Sequence, residues 1–288
     1  MNKTVKTMMI SMIVNTILSI LKVLVGLIGK SGALIADGLH SFSDLITDVV
    51  AIIGSKLASK PADLNHPYGH GKIEYITSMV ISIMIVFLGS TIIIKTFTED
   101  ITIPSKIVII VTIFTILSKL LLSNYILKCG KKYNSNILIS SGLESRTDVI
   151  SSIVVLISSI LCSLNEYVKI FKYADKVAML IVSILIIKTG FNLLKENISN
   201  ILGESEINTE LTSEVEKIIL NNKEVIKIDE LVLIKYGSYY KLISDIGMNE
   251  NNSLKDVHDV LDLLEEKIKK ETNIKFITFH VNPYKIED

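Results

Sequence analysis

Cysteine is scarce in this sequence. Cys129 and Cys162 stand far apart with no C-x-x-C spacing, which excludes a disulfide framework and gives no sign of a thiolate metal site. No small-residue cleavage site follows the first apolar run, which begins after Lys3 and Lys6. The N-terminus therefore reads as a retained span, not a signal peptide. A Gly-rich phosphate cradle is missing, and so is a basic patch with interleaved aromatics, so nucleic-acid binding finds no support. An excess of either charge is also lacking, with 30 Lys+Arg against 30 Asp+Glu.

What is abundant is apolar sequence. Hydrophobic residues make up 49% of the chain and mean hydropathy is +0.49, too greasy for a soluble domain of this length. Six runs are long enough for a bilayer core of about 30 Å. They cover about 8–28, 33–57, 74–97, 104–127, 139–163 and 174–194, joined by short polar segments. The balanced charge hides an asymmetry. Residues 1–200 hold 19 Lys+Arg and 12 Asp+Glu, whereas residues 201–288 hold 11 and 18. A membrane domain over 1–200 and an acidic water-facing domain over 201–288 are expected. In the tail, residues 207–222 and 253–271 have helical periodicity, with Ser253 as an N-cap. Residues 225–235 and 239–248 and the closing "IKFITFHV" read as strands. The fold class is thus a membrane all-α domain of six helices followed by a small α+β domain in the order α-β-β-α-β. An even number of spans puts both termini on one side. Eight joint lysines against six bias that side toward the cytoplasm, which implies a multi-pass protein of the plasma (inner) membrane.

One apolar run carries charge where charge is expensive. "LIADGLHSFSDLITDVV" contains Asp37, His40, Asp44 and Asp48 at spacings of 3, 4 and 4, which stack on one helix face. Ionisable groups within a span face a bundle interior or a wet cavity. The fifth run repeats the device in "SSGLESRTDVISS", where Glu144 and Asp148 are one turn apart. Two facing helices would offer His40, Asp44, Glu144 and Asp148, a tetrahedral set for a divalent transition metal. The bland alternative pairs Glu144 with Arg146. Asp175 in the sixth run either joins the same polar interior or pairs with Lys172 or Lys176. The loop "PADLNHPYGHGKIE" places Asp63, His66 and His70 as D-x-x-H-x-x-x-H, either a second metal site or an ordinary solvated loop.

The continuous stretch "SGALIADGLHSFSDLITDVVAIIGSKLASKPADLNHPYGHGKIE", with "SRTDVISS", resembles the cation diffusion facilitator family. The resemblance covers essentially the whole chain. It implies a homodimeric, proton-coupled exporter of divalent metal with a metallochaperone-like C-terminal domain. It maps an intramembrane quartet onto His40, Asp44, Glu144 and Asp148, and a loop site onto Asp63, His66 and His70. Glu144 departs from the His or Asp common at that position. A hard oxygen there favours Mn²⁺ or Fe²⁺, while His40 keeps Zn²⁺ or Co²⁺ available. In the tail, Asp229, His258 and His280 match family ligand positions, whereas Gly247 and Asn282 stand where other ligands occur. The metal is cargo and a candidate regulator, not a cofactor. The other partners implied are protons, the lipid bilayer and a second copy of the chain. Two rival readings are an intramembrane metal-dependent enzyme, a phosphotransferase or hydrolase, and a transport-inactive partner of another family member.

Overall fold

The computed structural model describes residues 3–58, 60–133, 135–207 and 209–285. Six long helices come first: α1 (Lys3–Ile28), α2 (Gly32–Ala58), α3 (Ile73–Thr98), α4 (Lys106–Lys132), α5 (Asn136–Ser163) and α6 (Ala174–Leu202). A single 3₁₀ turn, Lys169–Tyr173, leads into α6. Helices α1, α3, α4, α5 and α6 contain stretches long and apolar enough to cross a membrane. Helix α2 has the length, 27 residues, but carries three aspartates. At about 1.5 Å per residue each helix exceeds the hydrocarbon thickness.

The chain forms two compact units, Met1–Val49 with Val80–Leu193, and Val50–Met79 with Leu194–Asp288. In the first, large apolar side chains point outward, among them Ile17, Leu24, Phe87, Ile110 and Leu121. Its interior is instead rich in Ser19, Lys22, Asp37, Ser41, Lys119, Ser123, Ser151 and Ser152. Such inversion suits lipid as the surrounding solvent, because apolar surface needs no shelter there and polar groups do.

Small residues let two helical hairpins close tightly. Ser19 Oγ donates to the Gly38 carbonyl at 2.7 Å, joining α1 to α2. Ser123 Oγ donates to the Gly142 carbonyl at 2.7 Å, joining α4 to α5. A Cβ added to Gly38 would lie 2.7 Å from Val23 Cγ2, and one added to Gly142 would lie 2.7 Å from Leu127 Cγ. Backbone contact of this closeness is how helices associate where lipid removes the hydrophobic drive.

The second unit holds the tail: α7 (Glu210–Leu220), β1 (Val225–Tyr236), β2 (Tyr239–Asn249), α8 (Leu254–Glu271) and β3 (Ile274–Tyr284). The order α-β-β-α-β agrees with the sequence reading. Strands run β1-β2-β3, with β1 and β2 antiparallel and β3 parallel to β2. Tyr236 pairs with Tyr239 across a two-residue turn whose Gly237 has φ of 65°, a conformation open to glycine. The parallel pair needs a crossover, and α8 supplies it. Ser253 caps α8 in a reciprocal box, accepting from Asp256 N at 3.2 Å while Asp256 Oδ2 accepts from Ser253 N at 3.3 Å. Val215, Ile219, Leu233, Leu242, Ile246, Met248, Leu264 and Ile268 make the core beneath both helices.

The same unit contains the loop between α2 and α3, gripped by the hairpin tip. Tyr239 Oη donates to the Tyr68 carbonyl at 2.7 Å and accepts from Gly71 N at 3.1 Å. Gly237 N donates to Tyr75 Oη at 2.8 Å. A Cβ on Gly71 would fall 2.1 Å from the Tyr236 carbonyl oxygen, so only glycine permits this approach.

Candidate metal centre

Among the described residues, two groups bring at least three ligand-type side chains within 4.8 Å of one another: His40, Asp44 and Asp148, and Asp63, His66 and His70. The first lies inside the helical bundle. Helix α2 carries His40 and Asp44 one turn apart, and α5 brings Asp148 to meet them. All three are half-buried. One imidazole and two carboxylates form a donor set suited to Mn²⁺, Fe²⁺, Zn²⁺ or Co²⁺.

The expected fourth member does not join them here. Glu144 is exposed and lies outside this cluster, although it stands one turn before Asp148 on α5. A one-turn spacing brings two side chains to the same side of a helix, but the length and rotamer of each decide where its carboxylate ends. Arg146, the alternative partner for Glu144, donates to Asn124 Oδ1 at 3.0 Å.

The accessory acids divide. Asp37 is fully buried and is held by three hydrogen bonds. It accepts from Lys22 Nζ at 2.8 Å, Ser151 Oγ at 2.5 Å and Ser152 Oγ at 2.8 Å. Asp175, placed by the sequence in the polar interior or against Lys172 or Lys176, is buried and is bound at the start of α2. It accepts from Ser31 Oγ at 2.7 Å and Ala33 N at 3.3 Å, and Ser31 Oγ accepts from Leu34 N at 3.1 Å. Asp175 thus serves the free N–H groups at the start of α2, where a helix terminus attracts negative charge. Lys176 donates to the Glu99 carbonyl. The side chain of Asp48 lies outside the described residues.

Two lysines escaped the sequence reading. Lys22 is 1% exposed and Lys119 is 4% exposed. Lys119 Nζ sits 2.9 Å from Asp148 Oδ2, beside the cluster. Both ammonium groups donate to Ser41 Oγ at 3.4 Å, so they are no more than twice that distance apart. At an effective dielectric of about 20 their repulsion is about 2 kcal/mol or more, against about 6 kcal/mol of attraction between each ammonium and its aspartate. The pairs prevail, and the lysines stay. The signal was in the sequence: a lysine within an apolar run, as in "LSILKVLVG" or "ILSKLLLS", is itself a functional marker.

A repeat was missed as well. Ser19, Gly26, Gly38, His40 and Asp44 have counterparts 104 positions later in Ser123, Gly130, Gly142, Glu144 and Asp148. The α1–α2 and α4–α5 hairpins are the same device used twice, and transported ions sit at such repeat interfaces.

In the loop cluster Asp63 and His66 are exposed and His70 is half-buried. Asp63 Oδ1 accepts from His66 N at 2.7 Å and lies 3.0 Å from His66 Nδ1, while Asp63 Oδ2 is 3.3 Å from His70 Nε2. The His66 backbone N–H holds the Asp63 carboxyl below the usual carboxylate range. His70 Nδ1 lies 3.2 Å from the Pro61 carbonyl, an outer contact that aims Nε2 at the cluster.

The tail residues do not converge. Asp229 accepts from Lys227 Nζ at 2.8 Å, Asn282 Nδ2 at 2.9 Å and Tyr284 Oη at 3.0 Å. The Lys227 ammonium depresses its carboxyl, which is already satisfied without an ion. His258 faces Asp262 at 3.6 Å, and His280 is an exposed residue of β3 opposite Asp245 in register. The expected tail ligands are thus not brought together here, and Lys227 occupies the Asp229 carboxylate.

A helical membrane bundle with histidine and carboxylates gathered in its interior defines a protein that moves cations. Comparison with known families agrees. The cation efflux transmembrane domain matches residues 8–202, and the cytoplasmic domain of cation efflux proteins matches residues 207–284. The manganese efflux system protein MneP of Bacillus subtilis is 29% identical over 285 residues, covering 97% of this chain and 96% of that protein. An uncharacterized transporter of Methanocaldococcus jannaschii is 30% identical over 286 residues, covering 98% and 99%. The magnetosome protein MamB of Paramagnetospirillum magneticum is 27% identical over 251 residues, covering 86% and 83%. The chain belongs to the cation diffusion facilitator family. It is a multi-pass membrane transporter of divalent metal, not an enzyme.

Proposed function

We propose that this protein exports Mn²⁺ from the cytosol in exchange for protons, by alternating access at the site of His40, Asp44 and Asp148. The convergence of these ligands within 4.8 Å inside the bundle carries the reading. Glu144 completes the set when its side chain turns inward from its place one turn before Asp148. Oxygen then dominates the donors, which suits Mn²⁺ or Fe²⁺, while the His40 imidazole keeps Zn²⁺ and Co²⁺ as competing cargo. The name of the Bacillus subtilis relative points to manganese too.

Ligands bind metal deprotonated, so loading from the cytosol releases protons and unloading on the far side takes them up. The exchange drives export against the metal gradient. Residues 1–200 form the transmembrane part and 201–288 a cytoplasmic part through which two copies pair. Both termini lie in the cytosol and the membrane is the plasma membrane. Asp63, His66 and His70 form a second ion site on the cytoplasmic loop. Everted vesicles given an inward-acid pH gradient accumulate Mn²⁺ with the wild-type protein. Asp44→Ala and Asp148→Ala each reduce that uptake by at least about tenfold, as loss of a primary ligand demands. Wild-type uptake by both variants would reject the site.

A further inference from the structure

We propose that Lys119 is a positioning and affinity-setting residue of the transport site, a tethered cation that competes with the transported ion for Asp148. The inference rests on the reading of His40, Asp44 and Asp148 as the ion site. The two buried lysines play different parts. Lys22 is paired with Asp37, which is wholly buried, also accepts from Ser151 and Ser152, and is not one of the three gathered ligands. That set meets the ion site at its margin, where Ser151 Oγ lies 2.8 Å from the Asp148 backbone carbonyl and Ser41 Oγ accepts from both ammonium groups. Lys119 instead donates to an oxygen of the cluster itself, at 2.9 Å. It arrives from α4, a helix that supplies no ligand to the site.

Its burial needs a reason. A long charged side chain inside an apolar helix is costly unless paired, and Asp37 is already taken by Lys22. Asp148 is thus the counter-charge that keeps Lys119 in the bundle, and Lys119 neutralises one of the carboxylates the ion would use. A divalent ion entering the site must draw Asp148 Oδ2 away from the ammonium. Ser41 Oγ, 3.4 Å from Lys119 Nζ, offers the displaced ammonium a second acceptor. Repulsion from Lys22, which shares that acceptor, keeps the displaced state from becoming a resting place. As the ion leaves, the ammonium returns to Asp148. Lys119 therefore weakens binding and speeds release, which suits a transporter better than a store. It also sets a threshold: a cation that cannot out-compete an ammonium for one carboxylate oxygen is not loaded.

The test uses the purified full-length chain in nanodiscs, with Mn²⁺ titrated calorimetrically and transport followed in proteoliposomes. Lys119→Met keeps the apolar stem and removes the charge. It is expected to tighten Mn²⁺ binding by on the order of tenfold while lowering both KM and kcat for transport. Lys119→Arg keeps the charge and presents a fork that grips a carboxylate through two bonds, so it is expected to weaken Mn²⁺ binding several-fold. The opposite signs separate competition from a structural role, since a variant that merely loosened the bundle would weaken binding in both cases. If Lys119→Met fails to fold, Lys119→Arg decides alone: unchanged or tighter binding overturns the proposal. So does unchanged or weaker binding by a folded Lys119→Met. Asp148→Ala, titrated alongside, is expected to lose Mn²⁺ binding. If it binds as wild type, the ion site itself is misplaced, whereas loss of binding with lysine variants that do not shift affinity rejects only the role of Lys119.

Discussion

Lysine 22 and aspartate 37 show how a membrane bundle tolerates charge. The pair is wholly buried, and its remaining hydrogen-bonding capacity is met by Ser41, Ser151 and Ser152. Removing one partner leaves the other as an uncompensated buried charge, which typically costs about 3–5 kcal/mol. Asp37→Asn is thus expected to lower the unfolding midpoint of the detergent-solubilised protein strongly. Lys22→Met combined with Asp37→Asn should recover much of that loss, because the orphan charge goes too. A double variant no more stable than Asp37→Asn alone would contradict this account. At this scale the sequence was legible for the acids and silent on their partners. The spacing of Asp37, His40 and Asp44 put them on one face. It could not divide them between a structural pair and an ion site, because that depends on which helix packs opposite each turn.

Secondary-structure elements are tied by polar side chains at their ends and crossings. Asp175 and Ser31 hold the first turn of α2, and Ser253 with Asp256 holds that of α8. In the tail, Asp229 of β1 links to Asn282 and Tyr284 of β3, strands that flank β2 on opposite sides. Hydrogen bonds from Lys227, Asn282 and Tyr284 keep its carboxyl below the usual range. A depressed folded-state pKa contributes stability that is present above the unfolded value, about 3.9, and lost as pH falls through the folded one. Hydrogen bonding to Asp229 likewise raises the Lys227 pKa, a contribution present below the unfolded lysine value and lost only in strong alkali. Asp229→Asn is therefore expected to destabilise the tail near neutral pH, with the difference from wild type closing from pH about 4 downward. Acid titration of the two proteins, followed by strand circular dichroism, checks it, and a gap independent of pH would refute it. The helices and strands themselves were plain from periodicity. The capping role of Asp175 was not, because residues 31 and 175 are remote in sequence.

For the whole molecule, charge distribution sets the conditions of assembly. Residues 201–288 carry 18 acidic against 11 basic side chains, so two tails repel at close range. Divalent ions and salt screen such repulsion, over about 8–10 Å at physiological ionic strength. The full-length protein is expected to dimerise more tightly with Mn²⁺ or Zn²⁺ present, and part of that gain should be reproduced by added monovalent salt. Analytical ultracentrifugation in detergent reads the shift, and no change with either ion would remove charge screening as the control. Asp229, His258 and His280 do not gather into an ion site, so diffuse screening is the physical basis of this expectation rather than coordination in the tail.

Composition and periodicity by themselves determined the class: apolar runs of span length, an acidic α-β-β-α-β tail and two helices each bearing ligand-type residues one turn apart. Those features are local, and local chemistry obliges them, since a helix in lipid must be apolar outside and must turn its charges inward. Tertiary structure alone decided which charges meet. It joined Asp148 to His40 and Asp44, left Glu144 exposed, and brought Lys119 against Asp148 and Lys22 against Asp37. Those pairings depend on how closely α1, α2, α4 and α5 approach at Gly38 and Gly142, and on which rotamer each long side chain takes once packed. Neither is written in the spacing of residues along one chain.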